Sequence, residues 1–209
     1  MRQQHNADGS VRPGSHQRLP VLLAVAFLGA ALFQGCATVQ PSAPAAAMPA
    51  GSNRLAVRNN AASLLSQLLG QEKNVSKILI VKGSSDELRN LIKTISRTAD
   101  DGGKRLAELA RRDPTLDLQV VGLPVGEKAA REAEAKTEEH ELLFSSGANF
   151  AFNLLMTQAQ ALGYGSHLAA VAAKNAPSTE QGDQLRLLGA SLDQLGKQVA
   201  QMIRTLPPA

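Results

Sequence analysis

Cysteine and aromatic residues are scarce in this chain of 209 residues. It has one cysteine, Cys36, one tyrosine and no tryptophan. A lone cysteine cannot close an internal disulfide, so a folded domain must be held together by packing. After Cys36 the aromatic residues are Phe144, Phe150, Phe152 and Tyr164. So few rings provide little surface for stacking on nucleobases or sugars, and binding of that kind is not indicated.

Neither sign of charge is in large excess. The first 35 residues hold three of the 22 basic and one of the 18 acidic side chains, and the rest of the chain has a net charge of +2. Because nucleic-acid binding depends on a strongly basic surface, the sequence predicts no nucleic-acid partner. It also contains no Gly-x-Ser-x-Gly, phosphate-loop or dinucleotide-binding motif, so enzymes of those classes are not indicated.

The hydrophobic stretch near the start is too short to cross a bilayer. Residues 21–33 are apolar and uncharged, and Arg2, Arg12 and Arg18 precede them against one acidic residue, Asp8. As a helix this stretch would be about 20 Å long, whereas the hydrocarbon core is ~30 Å thick. A basic start followed by a short apolar run is typical of a secretory signal, so the sequence predicts export.

A glycine and the single cysteine follow this apolar run. The segment 32–36, Leu-Phe-Gln-Gly-Cys, resembles the lipobox of bacterial lipoproteins, in which a branched aliphatic residue, a small residue and Gly or Ala precede the acylated cysteine. Gly35 and Cys36 match that pattern. Phe33 and Gln34 depart from it, and Leu32 stands one position early. The alternative is an ordinary signal peptide that is cut near Ala37, which would discard Cys36.

The lipoprotein resemblance implies a location and a mode of attachment. Residues 1–35 would be removed, and Cys36 would carry a covalent lipid that anchors the protein to a membrane. No other cofactor is predicted. In Gram-negative lipoproteins an Asp after the cysteine favours the inner membrane, whereas Ala37 and Thr38 stand here. The resemblance therefore implies the outer membrane, facing the periplasm.

Beyond the signal, the sequence predicts a tether and one domain. Residues 36–53 comprise the cysteine and a stretch rich in Ala, Pro and Ser that contains no charge, which is typical of a flexible tether. Residues 54–209 have the length of one domain. Within it, apolar residues at helical spacing predict helices over residues 54–70, 84–112, 124–144, 148–175 and from 178 onward. Residues 78–81 are predicted to be helical or irregular, because the chain offers no second strand.

This helix pattern predicts an all-α, up-and-down bundle of four long helices plus a shorter one. In the last helix, leucines and other apolar residues alternate steps of three and four from Leu185 to Leu206, which is a heptad seam. Ser84 with Glu87 and Ser178 with Gln181 are predicted capping boxes. At this length and topology the chain looks like a ferritin-like bundle, and residues 142–169 resemble uncharacterised exported helical proteins of bacteria.

Two histidines are the candidate metal ligands of the bundle. A ferritin-like di-iron site needs Glu-x-x-His pairs, but Thr137 and Tyr164 stand three residues before His140 and His167. A standard di-iron centre is therefore not predicted. His140 shares one helix face with alanines and Phe144, where we expect a half-buried histidine. His140 and His167 would form a metal site only if a carboxylate such as Glu138 or Glu141 completed it.

The sequence leaves three functions open. The first is a non-enzymatic envelope lipoprotein that binds a protein partner or supports an assembly through its helical bundle. The second is a metal-binding or redox bundle that uses His140 and His167. The third is a bundle that binds an apolar ligand between its helices, suggested by small residues such as Gly147, Gly163 and Gly165. No catalytic residue is predicted.

Overall fold

The computed structural model describes residues 50–119 and 122–206. Those residues are almost entirely helical and contain no strand, which confirms the all-α fold class. The predicted signal, Cys36 and most of the tether lie outside the described residues. The helices are α1 (Ala50–Glu72), a short 3₁₀ helix (Val75–Ile80), α2 (Asp86–Arg112), α3 (Val125–Phe144), α4 (Gly147–Lys174) and α5 (Thr179–Thr205).

All five predicted helices are present, with small shifts at their ends. α1 begins at Ala50, four residues before the predicted start. The apolar run at residues 78–81 lies in and just after the 3₁₀ helix, as the prediction of helical or irregular structure allowed. The break between α3 and α4 falls at the predicted position, where Gly147 has a φ of 56°. That left-handed backbone favours glycine over residues with a side chain.

Serine side chains cap two of the helices. Ser178 accepts a hydrogen bond from the backbone N–H of Gln181 at the start of α5, as predicted. At α2 the capping residue is Ser85, which accepts from Leu88, and the prediction of Ser84 was wrong by one position. The Ser84 hydroxyl is buried and has no hydrogen-bond partner among the described residues.

Four helices form a closed ring. α1 packs against α2 and α4, and α5 packs against the same two helices, with the α4–α5 interface the most extensive. α3 packs mainly against α4, on the outside of the ring. None of the helices in the described ranges is long and apolar enough to cross a membrane.

Contacts at the two ends of the bundle fix the helix directions. At one end, here the clasp end, Arg58 near the start of α1 bonds Asp113 after α2 and Gln181 in the first turn of α5. At the other, the tip end, Lys82 before α2 donates to backbone carbonyls where α3 stops. Consecutive helices therefore run in opposite directions: α2 and α4 run from the tip end to the clasp end, and α3 leads from the end of α2 back to the tip end, where α4 begins.

Glycines allow close packing at two places in the ring. A Cβ added to Gly102 of α2 would lie 2.8 Å from Cδ1 of Leu188 in α5. One added to Gly165 of α4 would lie 2.7 Å from Leu68 and 3.1 Å from Leu192. The heptad positions of α5 from Leu185 to Val199 are buried in this core. Gly102 and Gly165 therefore lie where neighbouring helices approach closely.

Candidate functional site

The two candidate histidines are exposed, and the expected half-buried position of His140 was wrong. The His140 ring packs on Phe144, with 4.4 Å between ring centroids, and Phe144 is itself 76% exposed. The alanine face that carries His140 points to solvent because α3 lies outside the ring and buries only a narrow strip. That strip holds Arg131, Ala135, Glu138 and Leu142.

No metal site emerges from these residues. In residues 50–119 and 122–206, no three His, Cys, Asp or Glu side chains group closely enough to hold a metal ion. His167 is exposed on α4. Cys36, the predicted lipidation site, lies outside the described residues.

A buried carboxyl lies instead where α1, α3 and α4 meet. We call Glu72, Glu138 and Gln158 the carboxyl cluster. Gln158 is 2% exposed, and its side-chain amide donates a hydrogen bond to Glu72 at the end of α1. Glu138 of α3 is close enough for its charge to act on Glu72. Two acidic side chains from different helices therefore influence each other, Glu72 with a buried Oε2 and Glu138 half-buried.

Burial raises the pKa of both carboxyls. Desolvation raises the pKa of Glu72 to about 7; the Gln158 hydrogen bond lowers the pKa and the charge of Glu138 adds to the rise. The pKa of Glu138 is also raised, by burial first and then by Glu134 and Glu141. Since a buried carboxylate is costly unless it is paired, the environment favours the neutral acid.

Two buried oxygens in the cluster lack partners. Glu72 Oε2 and Gln158 Oε1 have no hydrogen-bond partner among the described residues. A neutral acid and an amide can bond reciprocally, because the acid O–H donates to the amide oxygen while the amide N–H donates to the acid carbonyl. A proton on Glu72 Oε2 would therefore let this oxygen donate to Gln158 Oε1, and the one bond would give both oxygens a partner.

Two further contacts fasten α3 to the bundle. Arg131 Nη1 donates to the Tyr164 hydroxyl at 3.0 Å, and the guanidinium lies 5.1 Å from the centre of the Tyr164 ring. At the end of α3, Lys82 Nζ donates to the carbonyls of Leu143 at 2.6 Å and Ser145 at 2.8 Å. A cation at a helix C-terminus is favourable. The contacts of α3 are thus few and largely polar.

The clasp end contains a second buried polar group, which is well satisfied. Arg58 is 1% exposed, and its guanidinium donates to Asp113 at 2.9 Å, Gln181 at 3.2 Å and Thr115 at 3.0 Å. Burial would raise the pKa of Asp113, but hydrogen bonds from Thr115 and Gln181 and the charge of Arg58 lower it to about 2. This network ties α1, the α2 terminus and α5 together and has a structural role.

Apolar side chains are exposed at the tip end. Ile80 is 81% exposed and Phe144 is 76% exposed, with Val81 and Leu143 at 54% and 47%. The Lys82 bonds to the end of α3 bring these two segments side by side. We call these four residues the apolar tip. Single exposed apolar residues are ordinary, but neighbouring ones mark surfaces that bind partners.

An open groove of about 980 Å³ lies at the same end. The first turns of α2 and α4 and the last turns of α5 line it, with Leu88, Leu91, Ala151 and Met202 among its apolar residues. Of the small residues that suggested an apolar-ligand site, Gly147 lines this groove, whereas Leu68 and Leu192 fill the space beside Gly165.

The two buried polar groups were not predicted, because the predicted apolar strip of α1 contained no charged residue. That strip was Val57, Ala61, Leu64, Leu65 and Leu68; Ala61 and Leu65 are buried, whereas Val57 is 38% exposed and Arg58 beside it is buried. The buried positions that follow are Ala61, Ala62, Ser63, Leu65 and Leu69. Arg58 and Glu72 continue this spacing at either end. A charged residue at helical spacing from a buried strip is the sequence signal that could have identified Arg58 and Glu72.

Comparisons with known proteins return no match: no protein-family model, curated protein or solved structure is detectably similar to this chain.

Proposed function

We propose that this chain is an envelope lipoprotein, anchored through lipid on Cys36, whose helical bundle binds a protein partner and catalyses no reaction. The anchor is supported by the order of sequence features: a basic start, a short apolar run, Gly35-Cys36 and an uncharged stretch. A cysteine with two or more acyl chains would hold the protein stably on the outer membrane, facing the periplasm.

The arrangement of the helices supports a ferritin-like bundle. Ferritin-like folds have four helices and one long crossover connection. Here α1, α2, α5 and α4 follow one another around the ring, and α3 occupies the connection between α2 and α4. In this proposal the fold is used as a scaffold, since His140 and His167 lack the glutamates of a di-iron site.

The observation that carries partner binding is the exposure of the apolar tip. A protein, not the bilayer, is the proposed occupant because of where the chain enters the bundle. The tether joins α1 at Ala50, at the clasp end, and Ile80 follows the far end of α1. A helix of 23 residues is about 35 Å long, so the apolar tip lies about that far from Ala50, where the described chain enters the bundle.

Site-specific photocrosslinking in living cells tests this proposal. A photoreactive amino acid replaces Ile80 or Phe144 in the full-length protein, and replaces Leu187 as a control. Leu187 is also apolar and 66% exposed, but it lies on α5 nearer the clasp end. We expect the same envelope protein to be captured from positions 80 and 144, with Phe144→Asp abolishing capture from position 80.

Three outcomes would contradict partner binding at the apolar tip. Equal capture from position 187 would mean that contact is nonspecific. Different proteins at positions 80 and 144 would mean that there is no common binding surface. Crosslinks to lipid alone would identify the membrane as the occupant.

A further inference from the structure

α3 is attached to the ring without burying any side chain completely. None of residues 126–144 is fully buried, whereas α2, α4 and α5 each bury eight or more residues. Leu142 packs against the hydrophobic core but is only partly buried. Since burial of apolar surface supplies most of the stability of a packed helix, polar contacts must supply a large share of what holds α3.

Two polar contacts hold α3, and they lie far apart along the helix. Arg131 Nη1 donates to the Tyr164 hydroxyl at 3.0 Å. Lys82 Nζ donates to the carbonyls of Leu143 at 2.6 Å and Ser145 at 2.8 Å. Along a helix, Arg131 and Leu143 are about 18 Å apart. The end of α3 can therefore be released while the contact of Arg131 holds the earlier turns.

The end of α3 depends on Lys82 for a favourable charge. A cation stabilises a helix C-terminus by bonding the last carbonyls and by opposing the helix dipole, but the last turn of α3 has no basic residue and contains Glu141. Lys82, which precedes α2, supplies that cation from outside the helix. Its Nζ also lies 5.7 Å from the ring centre of Phe150 in the first turn of α4. One side chain therefore joins the end of α3, the start of α4 and the segment before α2.

The two halves of the apolar tip lie on two of the segments that Lys82 joins. Ile80 and Val81 immediately precede Lys82. Leu143 and Phe144 are the last two residues of α3. We propose that Lys82 is a latch that assembles the apolar tip: while its bonds to α3 hold, the two halves form one surface, and when the bonds are lost the end of α3 moves away from Ile80 and Val81. That a partner recognises the latched form rests on the proposed function. By linkage, such a partner would in turn stabilise the end of α3.

Amide hydrogen exchange of the full-length protein in detergent micelles tests the latch without a partner. Lys82→Met keeps an apolar stem of similar length but loses the charge and the donors, so we expect residues 139–145 to lose about three- to tenfold in protection. Residues 126–133, which Arg131 holds, and the ring helices should keep theirs. Lys82→Arg retains a cation with several donors and should recover most of the lost protection. Lys77→Met, an exposed change shortly before the same segment, is the matched control and should behave as wild type.

Photocrosslinking from position 80 measures the effect of the latch on binding. We expect Lys82→Met to reduce capture of the partner by a similar factor at equal protein level, and Lys82→Arg to recover it. The double variant Lys82→Met, Glu141→Lys places a cation inside the last turn of α3 instead. It should restore the protection of residues 139–145 but not the capture, because no side chain then joins α3 to the segment that carries Ile80.

Two results would overturn the latch. One is protection of residues 139–145 in Lys82→Met that equals the wild-type value. The other is full capture by Lys82→Met or by the double variant, which would mean that Lys82 does no more than cap α3. Absence of capture by wild type would contradict the proposed partner, and the exchange measurement would then decide by itself whether Lys82 holds the end of α3.

Discussion

Arg58 and Asp113 form a buried ion pair at the clasp end, with 2.9 Å between Nη1 and Oδ2 and side-chain exposures of 1% and 19%. The residues are 55 positions apart in the sequence, and they join the start of α1 to the end of α2. Gln181 bonds both of them, so the start of α5 is held by the same pair. The fold therefore depends on a charge that is buried inside one end of the bundle.

Removing the carboxylate of this pair should destabilise the protein strongly. In Asp113→Ala the guanidinium of Arg58 stays buried without a counter-ion, and we expect a loss of about 3 to 5 kcal/mol in the free energy of unfolding. Urea denaturation followed by circular dichroism measures this loss. Asp183→Ala, which removes the exposed partner of Arg186, should cost less than about 1 kcal/mol. Equal losses in the two variants would show that the Arg58–Asp113 pair stabilises the protein no more than an exposed ion pair does.

The same pair predicts a loss of stability in acid. The pKa of Asp113 is about 2 in the folded protein against an ordinary value of 3.8. Its contribution is therefore complete above the ordinary value and is lost as the pH falls toward the folded value. The free energy of unfolding, measured between pH 5 and 2, should fall more steeply in wild type than in Asp113→Asn. Parallel curves would show that Asp113 does not titrate as described.

The adjacent glycines of α2 should respond oppositely to alanine. Gly103 has room, since an added Cβ would meet its nearest neighbour, Leu69, at 4.0 Å, and Gly103→Ala should stabilise by up to about 1 kcal/mol through helix propensity. Gly102→Ala would press on Leu188 at 2.8 Å, and we expect it to be about 1 to 3 kcal/mol less stable than Gly103→Ala. Thermal unfolding of both variants measures the difference. Stabilisation of equal size would mean that α2 and α5 are not closely packed at Gly102.

Features that depend on local sequence could be predicted, whereas features that depend on tertiary contacts could not. The helices were predictable because capping serines, glycines and apolar spacing act locally, as at Ser178 and Gly147. The orientation of α3 could not be predicted, because two faces of that helix carry alanines. Packing against α4 selects the face with Arg131 and Glu138. The carboxyl cluster could not be predicted either, since the environment of Glu72 is created by Gln158 and Glu138, which lie far from it in the sequence.

The metal-binding alternative makes a separate prediction. Because His140 and His167 are exposed and no third ligand is grouped with them in the described ranges, we expect purified protein to retain less than stoichiometric metal after dialysis against a weak chelator. Elemental analysis measures it, with the double variant His140→Ala, His167→Ala as the comparison. Stoichiometric metal in wild type that disappears in the double variant would establish the alternative.

Lipid attachment at Cys36 is the central claim, and metabolic labelling with a fatty acid tests it most directly. Cells that express the full-length protein are grown with an alkyne-tagged fatty acid, and the purified protein is assayed for the tag alongside Cys36→Ser. Since the chain has no other cysteine, we predict labelling of wild type and none of Cys36→Ser. Unlabelled wild type, or equal labelling of Cys36→Ser, would contradict the account.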